Sequence, residues 1–453
     1  VTRDELSAIA ERALAHTRGA AQVTVNHERS LLSRYARSRP TQATAIDELS
    51  VEITAWKDGV IATAETNSAG DDSLRDLAHR AAAAAEAGAR SGPGDHPGLP
   101  EPGEPARDHD GFDPETARLD PAPSGAALQT AFDVAAARGF EAHGTWSAGA
   151  VLTAVASTTG LRASDATTDA FCKVVQIAPG GRSGYAARGA VSARDIDAAP
   201  IATEAADRVG DGEPAALEPG EYDVVLAPDA VAVILEFLGW LAFSGQAYVD
   251  GASALVGRLG TRVAAARINL SDAPRYRTTL PRAIDAEGVA KRPIPLIQDG
   301  VANAVVHDTR SAARAGGGAT STGHALPGGA PPAPTNLVLV GGGAADEAEL
   351  AAPIERGLLV TRLWYVNPVH ARSTLLTGVT RDGTFLIEDG VVTRPLRDVR
   401  FTDSVLRILD GTEALTAATR LVCEGEFYGR RWATGTVCPA LRARGFRVTG
   451  SAA

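Results

Sequence analysis

The chain has no methionine at all, only three cysteines, and an aromatic content of 5% in 453 residues. The cysteines, Cys172, Cys423 and Cys438, are odd in number and no CxxC pair occurs, which excludes a fully paired disulfide framework and a zinc knuckle. Unpaired thiols suit a reducing cytoplasm, and that is the expected location. Basic charge is also in short supply: the formal net charge is -11, which argues against phosphate-led nucleic-acid binding. The most hydrophobic run, Val224 to Phe243, is broken by Pro228, Asp229 and Glu236, so it reads as a buried helix rather than a membrane span. The N-terminal VTRDELSAIAERALAHTRG has helical spacing with mixed charge and no apolar core of a signal peptide.

What is present is enough for a sizeable core. Apolar residues make up 44% and charged residues 22%, the balance of an ordinary globular protein. The length exceeds the roughly 250 to 300 residues at which one core usually stops growing, so two domains are expected. The pattern predicts an α+β protein: an N-terminal domain over 1–219 with a mostly antiparallel sheet, and a strand-rich domain over 220–453 with a curved or barrel-like sheet.

In the first half, AQVTVNHERSLLSRYARS and DELSVEITAWKDGVIATAETN alternate like strands, with a hairpin turn at Asp58-Gly59. Helices are expected over 73–90, 126–138 and 201–209, with a strand meander over 145–191. The stretch 91–125 is too rich in Pro and Gly for regular structure. In the second half, DG turns at Asp299-Gly300, Asp382-Gly383 and Asp389-Gly390 predict hairpins, and 373–392 reads as one tight antiparallel meander. Val399 to Leu409 reads as a short helix, and LRARGFRVTG as a closing strand.

The tempting motifs mostly have plain readings. Gly341-Gly342-Gly343 follows a strand, but lacks the Walker Lys-Ser/Thr pair, and Asp346 at the following helix start would repel phosphate. No GxSxG occurs, and Cys438 has no His nearby in sequence. His307, His324 and His370 are scattered over loops without metal spacing. Trp364, Asn367 and His370, in LWYVNPVHARST, read as groove-lining residues that could hold a peptide.

Taken in order, GEYDVVLAPDAVAVILEFLGWLAFSGQAYVDG, IDAEGVAKRPIPLIQDGVANAVVHDTRSAARAG, STGHALPGG, PAPTNLVLVGGG, GLLVTRLWYVNPVHARST and FLIEDGVVTRPLRDVRFTDSVLRIL resemble the TldD/PmbA family, on its PmbA (TldE) side. In that family the TldD partner carries HExxxH on the helix after the first C-terminal strand. Aligned through Ser244-Gly245, the two His positions fall on Glu236 and Leu241 and the Glu position on Phe237, a degenerate zinc motif. The resemblance therefore implies a subunit with no metal or cofactor of its own. Paired as a heterodimer with a TldD-like zinc subunit, it completes a cleft for unfolded peptide and is inactive alone. Asn336, Trp364, Asn367, His370 and His324 are the expected groove residues. Phe237, Trp240 and Leu241 are expected to pack into core or interface. Two other readings stay open at this point: a metal-independent hydrolase or amide-processing enzyme of a natural-product pathway using Cys438 or the three His loops, and a homodimeric peptide-binding protein without chemistry.

Overall fold

The computed structural model describes residues 1–452. In chain order the first half runs α1 (Arg3–Ala15), β1 (Ala20–Ala36), β2 (Arg39–Lys57), β3 (Val60–Thr66), α2 (Asp71–Arg90), α3 (Ala122–Arg138), β4 (Glu141–Ser157), β5 (Arg162–Ile177), β6 (Ser183–Ala190) and α4 (Ala198–Asp207). The helix ends follow local chemistry. Thr2 and Glu5 form a reciprocal capping box at α1, Asp197 caps α4, and Gly139 closes α3 in the left-handed region.

The six strands form one antiparallel sheet in the order β3-β2-β1-β4-β5-β6. Alternation along β1 explains its two faces. Val23, Val25, Leu31 and Tyr35 point to one side, where α1 and α2, then α3 and α4, complete two apolar clusters. Gln22, Asn26, Glu28 and Ser30 point to the other and are buried as well. That polar face is covered by residues near the C-terminus: Arg431 pairs with Asp169 and donates its backbone N–H to Glu28, and Ser147 donates to the Gly425 carbonyl.

The second half continues with β7 (Gly220–Leu226), α5 (Pro228–Leu238), α6 (Gly245–Val249), β8 (Leu270–Asp272), β9 (Ile294–Gln298), β10 (Val301–Ala302), α7 (Thr309–Ala315), β11 (Asn336–Leu339), α8 (Glu347–Ala351), β12 (Arg356–Val360) and β13 (Leu363–His370). It ends with β14 (Leu375–Thr380), β15 (Thr384–Glu388), β16 (Val391–Pro395), β17 (Val399–Ser404), α9 (Val405–Asp410), β18 (Thr412–Leu415), β19 (Arg420–Cys423), β20 (Gly435–Cys438) and β21 (Leu441–Ser451). Two mixed sheets result. One runs β10-β9-β8-β11-β20-β19, and the other β13-β14-β17-β21-β7-β12-β15-β16 with β18 on β21. Both have free ends, so neither closes into the barrel that was one expectation for this half. The largest apolar cluster lies between them, with α5 at its centre.

Two local expectations need correction. The predicted meander over 373–392 is not one unit. The Asp389-Gly390 hairpin joins β15 to β16, but β14 pairs with β13 and β17, whereas β15 pairs with β12 and β16. Asp382-Gly383 is therefore a crossing between distant strands, and the Asp382 carboxylate is used tertiarily, by Ser183 and Arg362. Val399 to Leu409 is half strand and half helix: β17 alternates buried and open positions until Ser404 caps α9. No helix among the described residues is long and apolar enough to cross a membrane.

Candidate functional site

β7 lies inside the nine-stranded sheet, parallel to β12 and antiparallel to β21, so its end places the next helix firmly. Pro228 stands in the first turn of α5, where its missing N–H costs nothing. Val231, Ile234, Leu235 and Leu238 bury one face completely. At Gly239 the helix widens into a π turn that runs to Phe243. Ser244 then leaves the helix in extended backbone and bridges to Val306. A side chain at Gly245 would collide with His307 and the Val306 carbonyl, which explains the glycine.

The π turn matters for the spacing of the open face. Residues five apart in an ordinary helix lie ~140° apart around its axis. An i to i+5 hydrogen-bonding turn brings such residues closer to one face, and such turns are frequent at functional sites. Here Glu236, Phe237, Trp240 and Leu241 form the partly or fully open stripe opposite the buried one. The Phe237 and Trp240 rings meet edge to face, with centroids 5.3 Å apart. Trp240 is 48% exposed, so it is not a core residue of this chain.

Water reaches Glu236, yet protein crowds it on several sides. Burial first, and then the neighbouring Glu424 carboxylate, push its pKa up to about 7. Among the described residues it has no hydrogen-bond or ion-pair partner. Burial also raises the pKa of Glu424, opposed by Lys173 and Arg362. Arg362 is held by Asp382 at 2.8 Å, and its guanidinium lies over the rings of Tyr185 at 4.2 Å and Trp364 at 4.4 Å.

These groups are braced by an ion cluster that links the two halves of the chain. Arg420 pairs with Asp229, in the first turn of α5, and with Glu204 of α4 at 3.2 Å; Arg208 reaches Glu204 at 2.8 Å. Sequence reading missed Arg208, Glu204, Asp229 and Arg420: Glu204 and Arg208 are four positions apart, but their links to Asp229 and to Arg420, up to 216 positions away, leave no local signature.

The expected groove residues separate into two groups. Trp364, Asn367 and His370 share β13, an end strand of the nine-stranded sheet, and all three are exposed. Trp364 stacks edge on against Tyr365, Asn367 bonds the Tyr365 carbonyl at 2.9 Å, and His370 bonds Ser373 at 2.8 Å. His324 and Asn336 are buried elsewhere. His324 lies 3.1 Å from Asp272 and bonds Thr322, while Asn336 bonds Thr279 and the Leu280 carbonyl. Both are almost fully enclosed, so neither presents a side chain to an open groove here.

The helix does not fit a zinc site. Phe237 and Leu241 offer no donor atom, and Glu236 alone cannot hold the metal. Cys438 is fully buried with its thiol against the Pro228 carbonyl at 3.3 Å, and burial raises its pKa well above the ordinary thiol value. That disfavours the thiolate a nucleophile or ligand needs. No group of three or more His, Cys, Asp or Glu that could hold a metal ion occurs among the described residues.

No curated protein sequence matches the chain. Its fold is similar to that of TldE from Thermococcus kodakarensis, with a TM-score of 0.86 at 19% identity, covering 99% of this chain and 100% of that one. It is also similar to a protein described as a modulator of DNA gyrase from Thermotoga maritima, with a TM-score of 0.82 at 18% identity over 99% of both chains. A third structure, a DNA gyrase modulator of Bacteroides thetaiotaomicron, gives 0.79 at 19% identity over 99% and 98%. Residues 219–450 match the PmbA/TldA metallopeptidase C-terminal domain, and the chain belongs to the PmbA/TldD metallopeptidase family.

Proposed function

We propose that this chain is the zinc-free, TldE-like subunit of a two-part cytoplasmic metallopeptidase, completing a cleft in which a TldD-like partner cleaves unfolded peptide. One observation supports the reading: the open face of the helix from Pro228, including its π turn, bears Glu236, Phe237 and Leu241, the positions that the sequence resemblance aligns with the family's zinc ligands and base, and they offer no ligand set. The scaffold of a metallopeptidase helix is kept and its chemistry is absent. The zinc then belongs to the partner.

On this reading the cleft wall includes the open stripe of α5 and the β13 edge. An end strand with free backbone groups can hold an extended peptide by main-chain hydrogen bonds without reading its sequence. Trp364, Asn367 and His370 are the side chains placed to line it. The alternative of a self-sufficient thiol hydrolase is disfavoured by the burial of Cys438. The test is copurification with a TldD-like subunit, followed by zinc analysis and an assay on an unstructured peptide. Activity confined to the complex supports the proposal. Full activity or bound zinc in this chain alone defeats it.

A further inference from the structure

A cavity of about 790 Å³ lies where the Pro-rich strap over Pro97–Arg107 crosses the C-terminal half. The strap is ordered by specific ties. Trp56 donates to the His96 carbonyl at 3.0 Å, Thr159 to the Pro100 carbonyl at 2.8 Å, and Asp95 pairs with Arg310 at 2.7 Å. Opposite it stand the segments over 288–293 and 319–321 and one side of α7. The size falls within the roughly 300–1,000 Å³ usual for small-molecule sites.

Four arginines line this cavity, and three of them, Arg107, Arg275 and Arg292, have no carboxylate within ion-pair distance among the described residues. Arg107 has no hydrogen-bond partner among the described residues. Arg275 donates only to the Lys291 carbonyl, at 3.3 Å, and Arg292 only to Ser321 and Thr320 oxygens. Arg275 is half-buried, and burial followed by the charge of Arg107 lowers its pKa. Two like charges sharing a partly enclosed space are held at a cost that an anion would relieve. The remaining cations of the lining are engaged, Lys291 by Asp272 and Arg162 by Glu11. Glu101 and Glu104, both exposed on the strap, form no ion pair with any of the three arginines. Leu161, Val289 and Pro100 give the same cavity an apolar wall.

We infer that the cavity beneath the strap binds a small organic anion, its carboxylate or phosphate head held by Arg107 and Arg275 and its apolar body laid against Leu161 and Val289. The planar guanidinium fork suits either head group. The site lies apart from the α5 stripe and does not depend on the peptidase reading.

Calorimetric titration of the purified full-length chain tests it, with phenyl phosphate and benzoate as probes and benzyl alcohol as the neutral control. Both anions, or the one whose head group is preferred, should bind, with affinity falling as salt rises. Benzyl alcohol should not bind. Arg275→Gln and Arg107→Gln should each weaken binding about tenfold, as expected for loss of one charge-assisted hydrogen bond. Thermal melts of each variant check folding. Should Arg275→Gln fail to fold, the exposed Arg107→Gln carries the test alone. Absence of binding by both anions, or unchanged affinity in a folded Arg107→Gln variant, would overturn the inference.

Discussion

Glu424 stands close enough to Glu236 for its charge to add to burial in raising the Glu236 pKa to about 7. The folded state thus holds this proton more tightly than the unfolded chain, whose carboxyl titrates near 4.5. The favourable contribution to folding is complete below the unfolded value and is lost as pH rises through about 7. Glu236→Gln should therefore melt higher than the parent chain above neutrality, with the difference vanishing in acid. Melting curves across that range check this, and a variant that is destabilised at high pH would contradict it.

Trp240→Ala separates an exposed cleft aromatic from a core one. A fully buried Trp costs roughly 3–5 kcal/mol on truncation. Here nearly half the ring is open and its edge contact with Phe237 is the main loss, so about 1 kcal/mol is expected from denaturant unfolding. A loss of peptide affinity in the assembled complex without a matching loss of stability would mark the ring as a cleft or interface residue.

Phe243, by contrast, is completely buried at the end of the π turn. Phe243→Ala should cost about 3–5 kcal/mol in the same unfolding experiment. A cost near that of Trp240→Ala would mean that the buried and open stripes have been assigned the wrong way round.

Asp272 anchors the other sheet. It accepts backbone N–H groups from Thr335 at 2.7 Å and Asn336 at 2.8 Å, with Lys291 at 3.6 Å and His324 at 3.1 Å, all in the interior. Burial alone would raise its pKa, but Lys291 and His324 hold it well below the usual carboxylate range. Its contribution to stability is present above the unfolded value and is lost only as pH falls through the depressed folded value. Asp272→Ala should cost about 3–5 kcal/mol, because Lys291 is left charged and buried without its partner. Equilibrium unfolding at neutral pH measures it.

The triple variant Glu236→His, Phe237→Glu, Leu241→His restores the motif residues on a helix that already has a π turn. No zinc-dependent cleavage is expected from it, since two histidines make only part of a zinc ligand set and the fully buried Cys438 thiol is not open to complete it. Metal analysis and a peptide assay check the expectation, and measurable cleavage stopped by a chelator would contradict it.

Much of this architecture was legible wherever local chemistry decides. Alternation marked β1 and β2, Asp58-Gly59 and Asp389-Gly390 marked true hairpins, and the apolar run broken by Pro228 marked α5. The failures share a cause. Asp382-Gly383 has the same turn chemistry as its neighbours, but strand order across a sheet is set by long-range packing, which no dipeptide reports. His324 and Asn336 were expected in a groove on the resemblance alone, and in this structure both side chains are buried. Their contacts run to Asp272, which lies 64 positions from Asn336, and to Thr279 and Leu280, separations that no local pattern reports. The π turn was equally hidden, since Gly239 is the only local hint of it.

The central claim is that the chemistry resides in a partner. The most direct measurement is hydrolysis of an unstructured peptide by this chain alone, by a TldD-like zinc subunit alone and by the two copurified, with zinc determined in each. The account predicts cleavage by the complex, metal confined to the partner, and no activity from this chain. Stoichiometric zinc in this chain, or full cleavage after rigorous removal of any partner, would contradict it.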